Sequence, residues 1–233
     1  MTTRARVLEA LGEVHDPELD EPITSLRFVT SCEVTLDGDV EILLRLPTPQ
    51  CAPNFAYLMA ADARDVVRRL PGVRKVGVKL EDHYTGDEIN AAIARGGGFM
   101  QAFPGETDDD QLEALRDLFR RKALVARQAR LCEALVADGA TPEQVTARRV
   151  GDLPDAPDAR RCLELRERLG IPSDRDSPAF VLPGGEPVAA HELGRWLQTA
   201  RLVRTSLEVN GGICRSLLRI RHQLAPDPEE VAS

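Results

Sequence analysis

The segment 26–46, Leu26-Arg27-Phe28-Val29-Thr30-Ser31-Cys32-Glu33-Val34-Thr35-Leu36-Asp37-Gly38-Asp39-Val40-Glu41-Ile42-Leu43-Leu44-Arg45-Leu46, decides the fold. Leu26, Phe28, Cys32, Val34 and Leu36 alternate with Arg27, Ser31, Glu33 and Thr35, the period-two pattern of a strand with one covered face. Asp37-Gly38-Asp39 supplies a tight turn, after which Val40, Ile42, Leu44 and Leu46 resume the alternation. Two such strands predict an antiparallel hairpin whose apolar face must be covered by helices.

The covering helices lie on either side. Thr2 or Thr3 can cap a helix with Val7, Leu8, Leu11 and Val14 at helical spacing, which Asp16-Pro17 stops. Pro53 begins a second helix carrying Phe55, Leu58, Met59, Val66 and Leu70 on one side, and Pro71-Gly72 ends it. Val76, Val78 and Leu80 alternate with Lys75, Gly77 and Lys79 as a third strand. The result is an α-β-β-α-β unit of about 80 residues, near the lower size for independent folding, with its strands antiparallel or mixed.

Beyond it, Asp87 can cap a short helix through Ile89 and Ile93, and Gly96-Gly97-Gly98 reads as a flexible break. The expected organisation is a first domain over 1–95, a glycine-containing linker over 96–106 and a helical domain over 107–233. Thr107 with Asp108, Asp109 and Asp110 places acids in the first turn of a long helix reaching Asp138, closed by Gly139. Thr141-Pro142-Glu143-Gln144 is a capping box with proline at the first helical position, and Asp158 opens a helix that closes at Gly170. A strand or turn is expected at Phe180-Val181-Leu182, followed by helices over 190–208 and 213–224 that Asn210-Gly211-Gly212 separates. The fold class is α/β in the α+β sense: a compact α-β-β-α-β N-terminal domain followed by a mainly α-helical C-terminal domain.

The 233 residues are 42% hydrophobic and 29% charged, sufficient for globular cores. No segment approaches the roughly 18 uninterrupted apolar residues of a membrane helix. The start lacks the apolar block of a signal peptide, so a cytoplasmic protein with no membrane association is expected. Thirty basic and 38 acidic residues give a net charge of −8 with the basic residues scattered, which argues against a nucleic-acid partner. The five cysteines, Cys32, Cys51, Cys132, Cys162 and Cys214, are an odd number without a close pair. That indicates neither a secreted disulfide framework nor a structural zinc module.

Single thiols therefore carry any sulfur chemistry. Cys51 lies where the second strand hands over to the second helix, between Pro49 and Pro53. Free amides and the dipole of a helix N-terminus favour a thiolate there and thereby soft-metal binding. A small buried or capping residue is the plain alternative. His15-Asp16-Pro17-Glu18-Leu19-Asp20-Glu21 gathers four carboxylates and an imidazole able to bind iron or zinc, although Asp-Pro is also an ordinary helix terminator. His83 after the third strand and Glu88 in the next helix can converge with these loops, against the alternative of a surface histidine. Cys32, Cys132 and Cys162 fall on apolar faces and read as core, as does Trp196 with Leu193, Leu197 and Ala200. Cys214 reads as packed on the face of Ile213, Leu217 and Leu218.

Residues 4–93 resemble the metal-sulfur cluster assembly factors, which include the Suf-operon T protein and the accessory protein of bacterial phenylacetyl-CoA oxygenase. The resemblance rests on Asp16-Pro17-Glu18 after the first helix, the hairpin, the Pro49-Gln50-Cys51 junction and Leu70-Pro71-Gly72-Val73 leading into the last strand. It implies that family's compact α/β fold and a non-enzymatic role in maturing iron-sulfur or related centres. It also places cofactor contact on Cys51, Asp16 and Glu18, and His83 joins them as a candidate metal ligand for transient iron or an iron-sulfur cluster. Arg27 stands where relatives commonly carry glycine, Pro47 where they often have threonine, and Ala52 replaces the usual proline after the cysteine. Asp82-His83-Tyr84-Thr85-Gly86-Asp87-Glu88-Ile89-Asn90 and Asn210-Gly211-Gly212-Ile213-Cys214-Arg215 look like long-form members encoded beside soluble diiron monooxygenases. That resemblance implies a client metalloenzyme as partner, a diiron monooxygenase hydroxylase or its chaperonin, and a homodimer would bring two Cys51 thiols together. The competing readings are a hydrolase or transferase with Cys51 as nucleophile and His83 or His15 as base, and a metal-free protein-binding adaptor.

Overall fold

The computed structural model describes residues 2–105 and 109–224. Helix α1 (Arg4–Leu11) starts at Thr3, whose hydroxyl accepts from the Arg6 amide at 3.4 Å. Strands β1 (Val29–Val34) and β2 (Asp39–Arg45) form the hairpin. Helix α2 (Pro53–Arg68) crosses to β3 (Lys75–Glu81), and α3 (Gly86–Arg95) follows. The sheet order is β1-β2-β3, antiparallel between β1 and β2 and parallel between β2 and β3. Parallel pairing of β2 with β3 requires a crossover, and α2 provides it.

Side-chain alternation places Cys32, Val40, Ile42, Leu44, Val78 and Leu80 on one face, where α1 and α2 contribute Val7, Leu11, Leu58, Met59, Ala63 and Val67 to the same core. Complete removal of Ile42 and Leu44 from water, at 0% and 1% exposure, is worth about 1.5–3 kcal/mol for each side chain. The first strand is shorter than its alternation suggests. A register shift between Val29 and Ser31 marks a bulge, and Leu26 and Phe28 reach the core from a turn before the strand. That turn places Arg27 at φ 61°, a left-handed conformation that glycine adopts more readily than a residue with a side chain. Leu36, expected to face inward, is 88% exposed because it lies in the hairpin turn.

Gly38 in that turn has φ 85°, and a Cβ there would lie 2.3 Å from the Gly72 carbonyl oxygen. The close backbone approach seats the hairpin against the connection from α2 to β3, where the Arg74 amide donates to the Gly38 carbonyl at 2.8 Å.

Helix α3 begins after Thr85, so Asp87 occupies its first turn and is not its cap. The glycine segment is not an open linker. Gly96 closes α3 at φ 70°, and Gly98 precedes the short helix α4 (Phe99–Ala102). Phe99, Ala102 and Phe103 join the first core. The long helix α5 (Asp109–Ala137) follows, with the expected Thr107 and Asp108 start lying outside the described residues. Helix α6 (Pro142–Thr146) has the full Thr141–Gln144 capping box, and α7 (Pro157–Arg168) carries Asp158 in its first turn.

The last helix, α8 (Leu193–His222), is continuous through Asn210-Gly211-Gly212, correcting the expectation of two helices. Two helical glycines cost about 1 kcal/mol each relative to alanine, which tertiary packing offsets here. Gly211 is buried, and a Cβ there would lie 2.7 Å from Glu21 Oε1.

Packing divides the described residues into two compact units, one up to Ala114 together with the chain from Val209, the other Leu115–Glu208. The end of α8 thus belongs with the sheet, not with the helices that precede it in sequence. The second unit has its own core around Leu124, Cys132, Cys162, Leu165, Phe180 and Trp196. Within it the Gln128 side chain exchanges two hydrogen bonds with the main chain of Val181, at 3.1 and 2.8 Å, satisfying a short extended segment that pairs only through an isolated bridge. Arg166, 1% exposed, donates to the carbonyls of Pro172, Pro178 and Ala179.

Candidate functional site

After β2 the chain must turn before α2 can cover the sheet. Leu46 and Pro47 are buried, and the Cys51 amide donates to the Thr48 carbonyl at 3.4 Å to close the turn. The Cys51 sulfur and Thr48 Oγ1 lie 3.5 Å apart. Ala52 then occupies the N-cap without a side-chain hydrogen bond, and Pro53 takes the first helical turn. Cys51 is consequently presented immediately before α2, half-buried against the first core.

His83 fixes this turn from the other side. Its Nε2 donates to the Cys51 carbonyl at 2.8 Å, and its Nδ1 accepts from the Thr85 amide at 3.3 Å, with Thr85 Oγ1 at 3.1 Å. A carbonyl acceptor on one nitrogen and an amide donor on the other require the neutral Nε2–H tautomer. Burial pushes the ring's pKa below its ordinary value, against the Cys51 hydrogen bond. The neighbouring Tyr84 amide donates to the Pro49 carbonyl at 3.1 Å, so the loop after β3 is tied twice to the loop before α2. Glu88 is exposed on α3.

The acidic loop is built around Asp16. Its Oδ1 accepts from the amides of Glu18 at 2.8 Å and Leu19 at 3.0 Å, while its own amide donates to the Glu21 carbonyl at 2.9 Å. Asp16 is 8% exposed, and burial raises its carboxyl to about 6, opposed by the two amide hydrogen bonds. Glu18 is half-buried on the same turn, and His15 Nδ1 lies 3.0 Å from the Glu13 carbonyl oxygen.

The end of α8 packs on these loops. Arg215 pairs with Glu21, and Arg221 pairs with Asp82 at 2.8 Å, beside His83. Leu218 is 3% exposed in the first core, and Cys214 is half-buried against it. Ile213 and Leu217 point outward, at 52% and 42% exposure, so the expected packed face of Cys214 contains Leu218 but not these two. Burial pushes the Cys214 thiol up to about 11, and the nearby charges of Asp16, Cys51 and Glu18 push the same way against Arg215.

The Cys214 thiol thus feels Asp16, Glu18 and Cys51, and His83 holds the Cys51 main chain. Among the described residues no three His, Cys, Asp or Glu side chains are arranged to hold a metal ion. Asp16 serves its own turn, and both ring nitrogens of His83 are engaged. Sequence reading missed the approach of Cys214, Arg215 and Glu21. Its available signal was Gly211, a small residue where a helix meets a loop. Cys32, Cys132 and Cys162, at 4%, 0% and 2% exposure, are core residues as expected.

Among the described residues no helix is long and apolar enough to cross a membrane. Residues 4–80 match the family described as iron-sulfur cluster assembly protein. An uncharacterized protein of Methanocaldococcus jannaschii is 36% identical over 93 residues, which is 40% of this chain and 96% of that relative.

Proposed function

We propose that this chain, which belongs to the iron-sulfur cluster assembly protein family through residues 4–80, is an accessory factor whose Cys51 holds iron or an iron-sulfur cluster in transit to a client metalloenzyme. The family domain supports a general role in cluster assembly. The observation that carries the finer reading is Cys51 itself, a partly exposed thiol on a turn braced by Thr48, Pro53 and His83. A thiolate binds soft metals, and a braced main chain keeps the sulfur available without dedicating a complete ligand set to it. Cargo held by few ligands of one chain exchanges readily, which suits delivery better than storage. Asp16 and Glu18 of the acidic turn add negative charge for the cargo in this reading. In this reading the chain is not itself an enzyme, and a second copy or the client completes the coordination. A diiron monooxygenase hydroxylase, or its chaperonin, is the client implied by resemblance around residues 82–90 and 210–215.

The hydrolase alternative would need a base on the Cys51 sulfur. His83 instead directs Nε2 to the Cys51 carbonyl and Nδ1 to Thr85. The adaptor alternative predicts no dependence on the thiol. The test is to produce the hydroxylase with wild-type or Cys51→Ala factor and count its bound iron, alongside anaerobic iron and sulfide analysis of the factor. Lower client iron with an unchanged thermal midpoint of the factor supports delivery. Equal client iron rejects it in favour of an adaptor.

A further inference from the structure

The end of α8 is held over the acidic loop and the loop after β3 by two ion pairs and an apolar anchor. The Arg215–Glu21 ion pair ties it to the turn that contains Asp16 and Glu18. The Arg221–Asp82 pair ties it to the loop whose next residue, His83, binds the Cys51 carbonyl. Leu218 anchors the intervening turn in the first core. Gly211 lets the helix backbone come close to Glu21, where a side chain would displace the carboxylate.

Cys214 sits between the Gly211 approach and the Arg215 ion pair. It packs half-buried against the same core as Cys51, and Asp16, Cys51 and Glu18 are its acidic neighbours. The other three cysteines are buried in core positions. The two partly accessible thiols of the chain, 163 residues apart in sequence, are therefore brought to the same core by the attachment of the α8 end.

We propose that Cys51 and Cys214 form a two-thiol binding site for a soft metal ion or cluster edge, with the end of α8 contributing the second sulfur. The site deepens the delivery reading and rests on it for its biological cargo, but its metal chemistry can be tested alone. A divalent soft ion replaces both thiol protons, forming two metal–sulfur bonds and releasing two protons to solvent. Two sulfurs are half of a tetrahedral set, and the remaining positions are open to a donor or acceptor protein. Because Cys214 is carried by a helix end fastened through two ion pairs, displacement of that end would remove one sulfur and leave the cargo on Cys51.

The test uses the full, reduced chain under anaerobic conditions and cadmium(II) as the probe, followed by sulfur-to-metal charge-transfer absorption. The wild type should bind one ion through two sulfurs. Cys51→Ser and Cys214→Ser should each lower the absorption per bound ion to about half and weaken binding roughly tenfold or more. A second measurement needs no substitution. Phenylarsenoxide, which forms two arsenic–sulfur bonds with loss of one water, should link the peptides containing Cys51 and Cys214 in the wild-type chain. A Cys214→Ser titration indistinguishable from wild type, or an arsenical that joins no such peptides, overturns the pair and leaves Cys51 as the delivery thiol. A client that fills equally with Cys51→Ala factor would instead reject delivery while leaving the cadmium result standing.

Discussion

His83 Nε2 donates to the Cys51 carbonyl at 2.8 Å, so the thiol-bearing turn is held by a ring that arrives only after the third strand. Removing the ring leaves a carbonyl and the Thr85 amide to find other partners. His83→Ala should cost about 1–2 kcal/mol and increase the labelling rate of Cys51 in the native protein. Burial lowers the ring's pKa, so neutral His83 contributes stability that is present above the unfolded value of 6.5 and lost as pH falls through the lower folded value. The acid limb of the wild-type stability profile should therefore flatten in His83→Gln, measured by denaturant unfolding across that range. An identical limb in both proteins would show that the ring does not report on this turn.

Asp16 should behave in the opposite sense. Its carboxyl is raised from 3.8 to about 6 by burial, equivalent to about 3 kcal/mol between the protonated and ionised forms. A raised folded value means that the native state holds the proton more tightly. This contribution is complete below the unfolded value of 3.8 and is lost as pH rises through about 6. Asp16→Asn keeps an oxygen acceptor for Glu18 and Leu19, and at neutral pH it should be more stable than wild type by about 1–3 kcal/mol. Asp16→Ala removes the acceptor and should fall below Asn by about 1 kcal/mol or more. Retention of a destabilising ionisable group is what a site shaped by function would show, and unfolding curves of the two variants at neutral pH separate the charge from the turn.

Two left-handed residues at the hairpin should respond differently to substitution. Gly38 has φ 85° and faces the Gly72 carbonyl, so Gly38→Ala meets both backbone strain and an immovable oxygen and should cost about 2 kcal/mol or more. Arg27 already bears a side chain at φ 61°. Arg27→Gly relieves about 1 kcal/mol of strain but returns a similar amount of freedom to the unfolded chain, so its net effect should stay within about 1 kcal/mol. Thermal midpoints of both variants check the contrast.

The hairpin, the α2 crossover, the capping box at Thr141 and the core positions of Cys32, Cys132 and Cys162 were legible because each rests on local periodicity or turn chemistry. The shortening of β1 was not, because the bulge near Thr30 lets Leu26 and Phe28 stay buried without continuing the strand. Glycine was misread twice for one reason. At Gly96–Gly98 and Gly211–Gly212 it marks a tight cap or a close approach, and only tertiary contacts distinguish those roles from a flexible break. Cys51 and Asp16 could be singled out from sequence by their places in the chain. The nearness of Cys214 depends on the long helix returning to the first unit, for which no short-range pattern codes.

The cysteines should label in an order set by burial and then by acidity. Cys32, Cys132 and Cys162 are at most 4% exposed and should react only when their unit opens, at rates that follow global stability. Cys51 and Cys214 are partly accessible and should react in the native protein. Their pH responses give a finer test. The thiolate is the reactive form, and burial together with Asp16, Cys51 and Glu18 raises the Cys214 thiol to about 11. Its labelling rate should therefore rise about tenfold per pH unit from neutrality towards that value, since each unit multiplies the thiolate fraction by about ten. Neutralising Asp16 with Asp16→Asn removes one of the opposing charges and should accelerate Cys214 at fixed pH without exposing Cys32. Mass-mapped alkylation of the native chain over a pH series reads all five positions together. If Cys214 reached its plateau rate near neutral pH, or if Asp16→Asn left it unchanged, the acidic neighbourhood assigned to the end of α8 would be wrong. Rapid native labelling of Cys32 would instead show that the sheet core opens more freely than its packing predicts.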